Sequence, residues 1–287
     1  MADFNRAPHS TRIGEPALGH IRLGPLPKTK NWNQVVESIT GSTLALSPLS
    51  SSASRVDIIA AETIKATKST LARASYDAGV RYTFYLLTQV VLASRKPDWQ
   101  SRLGQHGISL SQRSSVFDLT SEIQGAIDRY MSRTPRGATD VSEMAQQAAG
   151  EALTTLLSDE EAPRFEGFQS TDLRGLLRGL STKRGFAQLG HKFFAQFVAR
   201  FLNFHLSRVT AANLGTPRLP DLGYIPEFNR ALTTHCEESA RIVRDFCGDW
   251  YSKTEFEQGI DLSNSGRFLA IAVRKLKSEL QHQERAS

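Results

Sequence analysis

The chain has 287 residues, 40% of them hydrophobic and 22% charged, with 35 basic against 29 acidic side chains and a formal net charge of +6. That is enough apolar material to form a core without metals or disulfides, in one large domain or two small ones. The mixed charge excludes a histone-like basic protein but leaves room for contact with nucleic acid, an acidic partner or anionic lipid.

Residues 1–30 carry four prolines, interspersed glycines and no helical period, and read as an extended arm. Arg6, Arg12, Arg22, Lys28 and Lys30 make it basic, while Leu18, Ile21, Leu23 and Leu26 could anchor it on a partner or on a second copy of the chain. Trp32 to Ile39 is a short amphipathic helix, and Gly41 to Ser54 a Ser/Leu-rich connection. A helix is expected over about Arg55 to Ala74, with Val56, Ile59, Ile64 and Leu71 inward. A second, over Asp77 to Ala93, completes an antiparallel hairpin.

Asp98 is the expected N-cap of a short helix beginning at Trp99, and Ser114 or Ser115 that of a helix over Val116 to Ser132. Asp140 and Glu143 resemble a capping box opening a helix over Val141 to Leu157. Ser158 to Gly185 is punctuated by glycine and proline and changes from acidic to basic. The expected organisation is therefore an N-terminal helical region over 31–158, a linker over 159–185 and a C-terminal helical region over 186–287.

The helix over Phe186 to Leu214 is the expected organiser of the fold. Phe186, Phe193, Phe194, Phe197, Phe201 and Phe204 form a wide apolar arc, and Gln188, Lys192, Gln196, Arg200, Asn203 and Ser207 a narrow polar stripe. After a proline-rich crossover, Phe228 to Trp250 is a long amphipathic helix. Its expected buried face is Phe228, Leu232, Ile242, Val243, Phe246 and Trp250, and its expected outer face Glu237, Arg241 and Asp245 at i, i+4 spacing. Ser263 or Asn264 should cap a last helix to about His282, with Phe268, Leu269, Ala272, Leu276 and Leu280 inward. The fold class is all-α, a bundle of about nine or ten helices with an extended N-terminal arm.

No Walker loop, no dinucleotide-binding glycine pattern, no HExxH and no CxxC is present. Cys236 and Cys247 lie on one expected helix, roughly 16 Å apart by helical rise, too far to bridge. Reduced cysteines fit a cytoplasmic protein. The opening residues lack a signal-peptide core, and the near-apolar run Tyr82 to Ala93 is too short to span a bilayer. No metal site or cofactor is expected.

Two groups of residues are candidates for function. Basic clusters, Arg174, Arg178, Lys183 and Arg184 before the organising helix and Arg274, Lys275 and Lys277 on the last, could meet nucleic acid or an acidic partner. A polar pocket could form from His205, Arg208 and His235 between the two long helices. The leading reading is a non-enzymatic interaction or adaptor subunit of a larger cytoplasmic assembly of bacterial style. It would associate with a protein partner or with itself, partly through residues 1–30. The alternatives are a nucleic-acid-binding accessory protein and an enzyme with an unfamiliar helical site near His205 and His235.

Overall fold

A computed structural model describes residues 30–40, 62–63, 65–67, 70–161, 172–213 and 224–286. Among them the fold is all-α, with nine helices of defined extent. These are α1 (Lys30–Thr40), α2 (Ala78–Ala93), α3 (Trp99–Gln105), α4 (Val116–Met131), α5 (Asp140–Glu161), α6 (Leu173–Leu180), α7 (Lys183–Asn213), α8 (Tyr224–Glu257) and α9 (Leu262–Ala286). Further helical residues at 62–63, 65–67 and 70–74 lead into α2. The expected arm lies outside the described residues, except that Lys30 is the first residue of α1. The segment expected as a linker contains α6 and the first residues of α7. The spacing of Leu173, Leu177 and Leu180, all buried, explains the short helix: one apolar stripe seats it on the bundle.

Helix starts follow local chemistry, with some shifts of one or two residues. Asp77 caps α2 through Oδ1, which accepts from the Gly79 and Val80 amides at 2.8 and 3.1 Å. Its Oδ2 accepts from Thr139 Oγ1 at 2.9 Å, tying the start of α2 to the start of α5. Ser115 and Asp118 form a full capping box on α4. On α5 the box is Thr139 with Ser142 rather than Asp140 with Glu143: Thr139 Oγ1 accepts from the Ser142 amide at 3.0 Å and Ser142 Oγ from the Thr139 amide at 2.8 Å. On α9 the pair is Asp261 with Asn264. Asp98 makes no side-chain cap on α3, because its carboxylate pairs with Arg102 at 2.9 Å.

The expected apolar arc of α7 is the centre of the core. Phe186, Phe193, Phe194, Phe197 and Phe201 are fully buried and Phe204 half-buried. Helix α8 packs along one side of α7 and α5 along another, while α2 lies against α5 and α9. Phe84 of α2 joins these layers. Its ring centroid lies 5.5–6.2 Å from those of Phe186, Phe193, Phe194, Trp250 and Phe268. One buried apolar cluster therefore takes in residues from α1 to α9.

The buried face of α8 is rotated from the expected one. Leu232, Cys236, Ala240, Val243, Cys247 and Tyr251 are buried, whereas Ile242 is 40% exposed. The reason is close approach: a Cβ at Gly190 of α7 would overlap Cys247 Sγ, so small residues face α7 and the larger rings turn aside. Phe246 and Trp250 stack instead on Phe268 of α9, at 5.1 and 4.2 Å. Glu237 does not stay on the outer face beside Arg241; it reaches across to Lys192 of α7 at 2.8 Å.

Candidate functional site

An open groove of about 540 Å³ lies between the first turns of α7 and the C-terminal half of α8. Lys183, Arg184, Ala187 and Gln188 form one wall, and Arg244, Asp245, Gly248 and Asp249 the other. Thr182 caps the α7 end of it, its Oγ1 accepting from the Gly185 amide at 2.9 Å. Gly248 lets the helices close at the groove floor, since a Cβ there would stand 2.7 Å from the Lys183 carbonyl oxygen. Lys183 pairs with Asp249 at 2.5 Å and Arg244 with Asp245 at 3.3 Å. The Asp249 hydrogen bond raises the Lys183 ammonium above the ordinary lysine range. Arg184 is exposed and makes no ion pair among the described residues.

The structure gives the first basic cluster divided tasks. Lys183 and Arg184 line the groove, and Arg178 is exposed on α6. Arg174 is occupied internally, donating to the Ser94 and Lys96 carbonyls at 3.1 and 3.0 Å and so capping the C-terminal end of α2. The second cluster stands on α9. Arg274 and Lys275 are exposed and Lys277 is half-buried. The Lys275 ammonium lies 5.1 Å from the Phe246 ring centroid, where it shields an aromatic face.

The histidines of the expected pocket have separately described neighbours. His205 is buried, with ring centroids 5.3, 5.0 and 5.6 Å from Trp32, Phe201 and Phe204. His235 is half-buried on α8, and its carbonyl accepts from Ser239 Oγ at 2.8 Å. The Arg208 side chain lies outside the described residues. The histidine that joins α7 to α8 is one the sequence did not single out: His191 Nε2 donates to the Glu237 carbonyl at 2.8 Å. Burial lowers the pKa of His191, which favours the neutral ring.

Cys236 and Cys247 are free and buried. Burial pushes the Cys236 thiol up to about 12 and raises that of Cys247 as well, so both stay protonated and poorly nucleophilic. Among the described residues no group of three or more His, Cys, Asp or Glu side chains is placed to hold a metal ion. No described helix is long and apolar enough to cross a membrane.

Two phenylalanine rings stand in solvent, besides Tyr76 at 64% exposure. Phe256, near the end of α8, is 92% exposed, and Phe117, in the first turn of α4, is 77% exposed. The other phenylalanines with described side chains are buried or half-buried. No family model matches the chain, and no curated protein or solved structure matches it either.

Proposed function

We propose that this chain is a non-enzymatic interaction subunit, a helical adaptor that works within a larger protein assembly. The observation that carries the reading is the exposure of Phe256 and Phe117 on a body whose other described phenylalanines are covered. Burying a phenylalanine stabilises by about 1.5–3 kcal/mol, and here that gain is left for another surface to provide. Protonated, buried thiols favour this reading over nucleophilic catalysis by either cysteine. The internal engagement of Arg174, and the pairing of Lys183 with Asp249, favour a protein partner over a nucleic-acid backbone, which needs such cations free.

The test compares the tagged chain with a Phe117→Ala/Phe256→Ala variant in native extract by size-exclusion chromatography. The expected result is elution well above the 31.8 kDa of one chain, shifting toward that mass in the variant while the melting temperature is unchanged. Elution of the parent chain at its own mass would overturn the proposal.

A further inference from the structure

Building on the interaction-subunit reading, we propose that the groove between α7 and α8 docks an acidic polypeptide segment, with an apolar side chain of that segment seated on Phe256. Phe256 does not line the groove itself; it lies beyond the Asp249 end on the same side of α8. Asp245, Asp249 and Phe256 recur at seven- and eleven-residue spacings that bring them within about 40° of one line on α8. Phe256 stands two turns beyond Asp249, about 10 Å along the axis. All three side chains are exposed. The Lys183–Asp249 pair sets the start of α7 level with Asp249.

Charge identifies the occupant. Lys183 and Arg184 on the α7 wall face Arg244, Asp245 and Asp249 on the α8 wall. Two of the groove's three cations are matched within the chain, which leaves Arg184 as the groove cation with no ion pair among the described residues. It sits in the first turn of α7, at the positive end of the helix dipole, where a carboxylate is favoured. A nucleic acid carries a negative charge at every step and would be driven against Asp245 and Asp249. A polypeptide can place one carboxylate on Arg184, avoid the aspartates, and set an apolar group on the exposed ring about three extended residues away. The mixed lining therefore selects a peptide with interspersed acidic and apolar residues.

The probe is a fluorescein-labelled peptide alternating glutamate pairs with leucine or phenylalanine, read by anisotropy on the full chain. A lysine-for-glutamate version and a short duplex DNA are compared in parallel. Binding of the acidic peptide is expected, weakened about tenfold by Arg184→Glu and several-fold by Phe256→Ala, and unchanged by Phe117→Ala. Arg184→Glu should also gain affinity for the lysine peptide, a charge reversal that misfolding cannot mimic; unchanged melting confirms this. Acidic-peptide binding indifferent to Arg184→Glu, or no binding, would overturn the groove assignment. So would duplex DNA binding that is lost in Arg184→Glu while the peptide does not compete. In native extract, an assembly that persists with Arg184→Glu refutes the groove alone, whereas a parent chain that elutes as a monomer refutes the subunit reading itself.

Discussion

Gly190 and Cys247 meet where α7 and α8 come closest. A Cβ on Gly190 would overlap Cys247 Sγ and stand 3.1 Å from Cys247 Cβ, and both residues are buried. Neither helix can yield freely, because α7 is covered by α5 on another side and α8 by α9. Gly190→Ala is therefore expected to destabilise by about 1–3 kcal/mol through overpacking, despite alanine's better helix propensity. Adding Cys247→Ala removes the sulfur and should restore part of the loss. Urea denaturation of the two single variants and the double variant measures the coupling. Additive effects would place the strain elsewhere. The same closeness explains why the Cys247 thiol is inert: the packing that excludes bulk also excludes the water a thiolate would need.

The helices are fastened at their ends as well as along their faces. At the C-terminal end of α2, Arg95 donates through Nε to Ser181 Oγ at 3.2 Å and through Nη2 to the Ser181 carbonyl and to Tyr251 Oη, the latter at 3.2 Å. Its guanidinium lies 5.5 Å from the Tyr251 ring centroid. Arg174 returns the link from α6 to the Ser94 and Lys96 carbonyls. Together they join α2, the α6–α7 junction and α8. Arg95→Met keeps much of the aliphatic length but removes the donors, and is expected to cost about 1–3 kcal/mol. Arg178→Ala, one helical turn from Arg174 but exposed, should stay within about 0.5 kcal/mol. Equal effects of the two substitutions in chemical denaturation would refute this division of labour. Composition and position made Arg174 and Arg178 look alike; the carbonyls that distinguish them come from a helix about eighty positions earlier in the chain.

At the scale of the molecule, Phe84 connects regions that the sequence divides. Its contacts with α7, α8 and α9 make the N-terminal helices part of the core that the C-terminal helices form. One cooperative thermal transition is expected, with calorimetric and van't Hoff enthalpies in agreement. Phe84→Ala should lower stability by about 3–5 kcal/mol and shift that single transition as a whole. Two resolved transitions, with only one of them moved by Phe84→Ala, would instead support separate units over 31–158 and 186–287.

Local patterning was sufficient for the long helices and their order, but not for α6, which lies where a linker was expected. The phenylalanine arc of α7, the Ser115 cap and the inward face of α9 depend on neighbours within a few residues, and local pattern exposes them directly. It did not determine which way α8 turns, because an apolar arc states that a face is covered but not by which helix. The Gly190–Cys247 approach and the ring of Phe268 settle that orientation. Nor could it show that Lys183 meets Asp249 or that Arg174 caps α2, since the partners are separated by many residues and are brought together only when the helices pack. The groove between α7 and α8 arises in the same way: its two walls are ordinary charged helix faces until tertiary contact sets them side by side.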